Sequence, residues 1–191
     1  MVRSRRSLEN GLTSMIRGNE SYVRRVVPIL NSHTPAWCRL RYPGHPTGCP
    51  NLGRRLTCPP RAPRLSDILD LNWPTYCVYN VFDLGSHVRR MRRRHPDWSC
   101  RRLRCCLYWQ RGARKDLKEK VRLVLIQEPQ LIAIYCPEAC GVDVTATLGS
   151  IGIRLEWPPE RVAYQVALVG TPLPSLASNS RAFARAIGMR V

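Results

Sequence analysis

The chain has 191 residues, of which 44% are hydrophobic, with 31 Lys and Arg against 13 Asp and Glu for a formal net charge of +18. This length fits one domain, alone or with an arm, and the composition excludes a wholly disordered or collagen-like chain. The longest purely apolar runs, residues 131–136 and 166–169, fall far short of the roughly 20 residues that a spanning helix needs, so no membrane association is expected.

In chain order, residues 7–31 carry Leu8, Leu12, Met15 and Ile16 at helical spacing, followed by Val23, Val26, Val27 and Leu30. Residues 1–31 therefore read as an N-terminal helical arm. Residues 32–64 differ in kind: prolines and glycines recur throughout and break any regular element. A structureless loop of this length is uncommon inside a compact domain. Its ordering entropy must be offset by something bound or packed.

Residues 66–71 read as a short helix. Residues 76–82, rich in Tyr, Val and Phe, read as a central strand. Ser86 is placed to cap a helix running to Arg94, which Pro96 ends. Ser99 is placed to cap a second helix, with Leu103, Cys106 and Leu107 on one face. A third helix is expected over residues 114–127, stopped by Pro129. Strands are expected at 131–135 and 161–169, with a helix at 143–151 between them. The resulting expectation is α/β (or α+β): a small sheet of three or more strands covered by helices, with a long Cys/Pro/Gly-rich loop near the N-terminus. Residues 32–170 form the expected domain, and residues 171–191 a surface tail with a short helix near 181–187.

Charge is segregated. Residues 1–64 carry +10, residues 65–88 carry −3, residues 89–122 carry +11, and residues 123–191 balance. A confined positive field attracts polyanions, so the Arg-rich stretch 89–122 is a candidate contact for nucleic acid or an anionic ligand. The bland alternative is a solvated basic face, with Arg substituted for Lys by a GC-rich genome.

There are nine cysteines, an odd number, so they cannot all pair within one chain. The basic N-terminus is followed by residues too polar for a signal sequence, which makes a cytoplasmic location and reduced thiols the expectation. Metal ligation then becomes the sharper reading of the cysteines, and buried thiols acting as small hydrophobes the plainer one.

Three cysteines, Cys38, Cys49 and Cys58, lie in the 32–64 loop. Their separation is too wide for the knuckles of zinc fingers, but a loop wrapping a bulky cluster tolerates it. Cys58 is followed by Pro59 and Pro60, as a Pro follows the last ligand in bacterial ferredoxin motifs. A [4Fe–4S] cluster takes four thiolates. Cys136, at a strand end and also before Pro, is the first candidate for the fourth, and Cys106 or its neighbour Cys105 the next. Cys77 alternates within a strand and reads as core. Cys140 is open between ligand and packing residue. His45 lies inside the loop and is weighed as a ligand. Asp83, Glu138 and Asp143 are weighed for acid–base chemistry against helix capping. No P-loop, dinucleotide fingerprint, zinc-protease or serine-hydrolase motif is present.

Two blocks carry a resemblance. Residues 49–60, CPNLGRRLTCPP, are similar to the "C…YGK…CPP" loop of a family of uncharacterised prokaryotic proteins described as predicted metal-binding proteins. Residues 137–144, PEACGVDV, followed about twenty residues on by a hydrophobic strand, are similar to that family's C-terminal block. Leu52 stands where the family has an aromatic residue, and Cys38 lies further from Cys49 than its pattern has it. The resemblance implies metal or iron–sulfur binding and no particular reaction.

The leading expectation is thus a cysteine-ligated metalloprotein. It binds an iron–sulfur cluster for electron transfer with a partner, or for activation of a small substrate. The rivals are a Zn-stabilised basic module that binds nucleic acid, and a thiol-dependent sulfur-transfer enzyme using Cys105, Cys106 or Cys136.

Overall fold

A computed structural model describes residues 22–41 and 45–177. Its centre is a four-stranded antiparallel sheet in the order β1-β2-β4-β3, made of β1 (Val23–Val26), β2 (Thr75–Asp83), β3 (Ile132–Ile134) and β4 (Val162–Gly170). The fold is α+β: helices accompany a sheet with no parallel pair. The three expected strands are present, and β2 is central, paired with β1 on one side and β4 on the other.

The fourth strand corrects the helical expectation for residues 7–31 where that stretch is described. Val23–Val26 pairs with β2 in the register Val23↔Val78 to Val26↔Thr75. Two β-branched residues in four disfavour a helix weakly and suit a pleated surface. A long-range partner decides the matter, and local periodicity does not reveal one. Residues 7–21, and the helix expected at 181–187, lie outside the described residues.

Alternation along the strands divides the core between the two faces of the sheet. On one face, Tyr76 and Val78 of β2 and Ala167 and Val169 of β4 pack under Leu117, Val121 and Val124. These three residues line one side of the long helix Gln110–Gln127. On the other face, Cys77, Leu168 and Ile134 meet Leu65, Ile68 and Leu69 together with Val144 and Leu148. Cys77 is fully buried, and burial pushes its thiol up to about 12.

Among the described residues there are five helices. α1 (Leu84–Arg94) starts earlier than the expected Ser86 cap. Asp83 takes that role, its Oδ1 accepting from the Ser86 backbone N–H at 2.7 Å, while the Ser86 hydroxyl accepts from Arg89. α2 (Cys100–Leu103) has the expected cap, Ser99 accepting from the Arg102 N–H. It then breaks into a separate 3-10 turn, Cys106–Tyr108, and this turns Leu107 out to solvent at 71% exposure. α3 (Gln110–Gln127) begins before the expected Arg114. Trp109 at its start stacks on Phe82 at 4.8 Å, so tertiary contact extends the helix. α4 (Val144–Gly149) is capped by Asp143, which accepts from the Ala146 N–H at 2.9 Å. α5 (Pro174–Ala177) follows β4, and Leu173 N–H donates to Ile68 O, so the first residues of the expected tail lie on the core. The short helix expected at 66–71 is a 3-10 turn, Leu65–Asp67. Among the described residues no helix is long and apolar enough to cross a membrane.

The turn leading into β4 is organised by one carboxylate. Glu156 accepts from the backbone N–H groups of Glu160 and Arg161 and from the Arg161 side chain. The backbone donors of Arg161 and Glu160 hold its carboxyl down from 4.5 to about 2. A depressed folded-state value gives stability that is present above the unfolded value and lost as pH falls through the folded one. Glu156→Gln is therefore expected to be less stable than the parent at neutral pH. The gap should close as pH falls from 4.5 towards about 2, as read by urea denaturation across that window.

Candidate metal centre

The 32–64 loop is built of turns and is pinned to the domain at its first residues. Asn31 side-chain Oδ1 accepts from the His33 N–H in an Asx-type turn. Pro35 then opens the 3-10 turn Thr34–Arg39, which carries Cys38. Thr34 is fully buried. Its hydroxyl lies within hydrogen-bond distance of Asn31 O at 3.1 Å and Glu138 O at 2.9 Å. Around it, Asn31 N–H donates to Gly141 O and Asp143 N–H to Ile29 O, both at 2.8 Å. Ile29 N–H donates to the Thr147 hydroxyl. These bonds dock the Cys38 turn against the 3-10 turn Pro137–Cys140, more than a hundred residues later.

Cys49 is tied to the same place. Its N–H donates to Cys38 O at 2.8 Å, and Gly48 before it lies flat against the Cys38–Arg39 backbone. Gly48 has φ +87°, and a Cβ there would stand 2.6 Å from Cys38 O, so only glycine fits. Cys58 closes the next lobe: Gly53 N–H donates to Pro59 O, and Cys58 O accepts from the N–H groups of Arg61 and Ala62.

Cys136 follows β3 directly, and Cys140 lies four residues on, buried in the core cluster. Cys136 and Glu138 both keep accessible surface. Even so, desolvation is the first cause of the rise in each group's pKa, Cys136 reaching about 11.

The thiols also sense each other. Cys38 is raised by burial, then by Cys49, Cys58 and Glu138. Cys136 is raised by burial, then by Glu138 and Cys58, with a contribution from Cys38; Arg114 on α3 acts in the opposite direction. Cys140 is pushed up to about 12 by burial, then by Cys136 and Glu138. Four expected ligands, Cys38, Cys49, Cys58 and Cys136, are thus brought into one electrostatic neighbourhood, with Cys140 and Glu138 beside them. Among the described residues, no group of three or more His, Cys, Asp or Glu side chains is arranged to hold a metal ion.

Cys106 has other neighbours. It packs with Leu84, Trp109, Ala113 and Ala163, and after burial its thiol is raised by Cys105. The expectation that a strand end gathers function rested on parallel α/β sheets. Here the sheet is antiparallel, and Cys136 reaches the site through the turn that Thr34 holds. Asp83 and Asp143 are helix caps. His45 lies in the turn before Cys49, its carbonyl accepting from the Gly48 N–H. The two best-defined open grooves, of about 330 and 220 Å³, share Tyr22 and Lys120 and have no cysteine in their lining.

Thr34, Gly48 and Arg114 escaped the sequence reading. A glycine beside a cysteine in a turn-rich loop was a readable signal for Gly48. Thr34 and Arg114 carried none, because their partners lie far along the chain. Compared with family models, curated proteins and solved structures, the chain shows no match.

Two substitutions test this geometry. Thr34→Val removes the hydroxyl that reaches Glu138 O, while Asn31 O keeps the residue-34 backbone N–H as a donor, and is expected to cost about 1 kcal/mol, whereas Thr34→Ser should retain most of the stability. Gly48→Ala should separate Cys49 from Cys38. The check is denaturant unfolding, together with the rate at which Cys38 and Cys49 are alkylated in the native protein, which should rise in both Thr34→Val and Gly48→Ala.

Proposed function

We propose that Cys38, Cys49, Cys58 and Cys136 are the ligands of an iron–sulfur cluster, and that the protein is a cysteine-ligated metalloprotein. The observation that carries the proposal is the docking of the Thr34–Arg39 turn, with Cys49 bonded to it, against the Pro137–Cys140 turn. Two stretches remote in sequence meet there, and each brings thiols. Soft thiolate donors are the set that iron–sulfur clusters and zinc take. A cluster is proposed over zinc because the wide spacing of Cys38, Cys49 and Cys58 suits a loop wrapped around a bulky centre, and a Pro follows Cys58 as in ferredoxin motifs. The similarity of residues 49–60 and 137–144 to a metal-binding family points the same way.

The electrostatics give the site its logic. At Cys38 and Cys136 the protonated thiol is favoured without metal, since surrounding protein, Glu138 and the neighbouring sulfurs oppose the charge. A metal centre reverses this balance by neutralising them, so binding releases protons and orders the loop together. Arg114 favours negative charge at Cys136. Glu138, beside Cys136, disfavours it. When bound, such a centre supplies one-electron transfer or an iron that polarises a small substrate.

The test is anaerobic purification followed by iron, sulfide and zinc analysis and a visible spectrum of the same sample. Matching iron and sulfide with a broad charge-transfer absorption is expected. Cys58→Ser should lose both, and Cys100→Ser, an exposed thiol on α2, should keep them. Stripping the metal should speed tryptic cleavage after Arg54 and Arg55, since the loop loses its tether. Stoichiometric zinc without colour, or no metal after reconstitution with iron and sulfide, would overturn the assignment.

A further inference from the structure

A dense run of positive charge lies on the elements α1, α2 and the Cys106–Tyr108 turn, none of which carries a proposed metal ligand. His95 and Trp98 stack there with ring centroids 4.0 Å apart and planes within 9°. The Arg102 guanidinium sits 4.2 Å over the Trp98 ring, and Tyr108 packs against Trp98 at 4.9 Å. This row of planar groups is held from below. Arg92 donates to Trp98 O at 2.6 Å, so this arginine is used inside the fold. The row is also open at one end: Tyr108 is 46% exposed.

Arg93 and Arg94, just before His95 in the chain, and Arg101, just before Arg102, are all exposed. None of them takes part in the ion pairs found among the described side chains. The single acidic residue between positions 89 and 115 is Asp97. Unpaired guanidinium groups interleaved with fixed aromatic planes match a ligand with alternating anionic and flat groups. Single-stranded nucleic acid is such a ligand, since its phosphates take the charges and its bases stack on the rings. A duplex hides its base faces. An acidic peptide would satisfy the arginines and leave Tyr108 without a partner.

We infer that this face binds single-stranded nucleic acid, with phosphates on Arg93, Arg94 and Arg101 and bases stacked at Tyr108 and the His95–Trp98 pair. The inference does not rest on the metal centre. Its test is fluorescence anisotropy of the full chain with labelled oligo-U and oligo-dT of about 12 nucleotides. A hairpin duplex and heparin serve as competitors, in salt from about 50 to 200 mM. Binding of either single strand, with tryptophan quenching, is expected. Arg93→Gln with Arg94→Gln should weaken binding and flatten the log-salt slope by about 1.4, that is about 0.7 per phosphate contact. Tyr108→Ala should weaken binding by about 10-fold with the slope unchanged. Tyr108 is exposed, so this variant tests stacking without risk to the core. Trp98→Leu, checked for native circular dichroism, should do the same. Lys115→Gln with Lys118→Gln removes equal charge from α3 and should change affinity less than about 2-fold. The inference is overturned by no binding, by equal affinity for duplex or heparin, by wild-type affinity in Tyr108→Ala, or by equal loss in the lysine pair.

Discussion

The buried Thr34 side chain and the Asn31 backbone hold the start of the 32–64 loop against the Pro137–Cys140 turn. The Thr34 hydroxyl bridges Asn31 O and Glu138 O, and Asn31 N–H reaches Gly141 O. Without this seam the proline-rich loop has few reasons to lie where it does. Its residues form no ladder with the sheet, and its turns are local. A net hydrogen bond is worth only about 1 kcal/mol, but an orphaned buried partner costs more. The seam therefore acts less as a source of stability than as a constraint on position. Cys38 and Cys49 follow from it directly, because Cys49 N–H bonds to Cys38 O and Gly48 allows the backbones to touch.

The same seam decides what the thiols feel. Placed on separate surfaces, Cys38 and Cys136 would have little influence on one another. Gathered near Pro137–Cys140, Cys38 and Cys136 are each held up by surrounding protein, by neighbouring sulfurs and by Glu138, and Cys140 is held up by burial and then by Cys136 and Glu138. Arg114 alone is seen to favour a charged Cys136. Such an arrangement is costly for free thiolates and suited to a cation that they share. The basic face of α1 and α2 is separate in composition. Its arginines are fastened to aromatic rings and backbone carbonyls, and the cysteine neighbourhood is built from turns.

Much of this was legible in the residues, and the failures have physical causes. β2 and β4 were readable because runs of Val, Tyr and Leu bury both faces of an inner strand. Caps at Ser99 and Asp143 were readable because the capping bond is local. β1 was misread because Val23 and Val26 also fit a helical stripe. Only pairing with Thr75–Val78 makes them a strand. Cys38, Cys49, Cys58 and Cys136 stood out by their flanking turns and prolines. Cys106 resembled them in sequence but is enclosed by Leu84, Trp109 and Ala163. Neither Thr34 nor Arg114 could be found from spacing, since each matters through a contact about a hundred or about twenty residues away.

The central claim is that thiols of the 32–64 loop and of the Cys136–Cys140 turn, remote in sequence, share one neighbourhood. It is tested most directly by short thiol-to-thiol cross-linking of the native, metal-stripped chain, followed by peptide mapping. The account predicts links that join Cys136 or Cys140 to Cys38 or Cys58, and their loss in Thr34→Val. Links confined to the adjacent pair Cys105 and Cys106, with Cys136 never joined to the 38–58 loop, would contradict it.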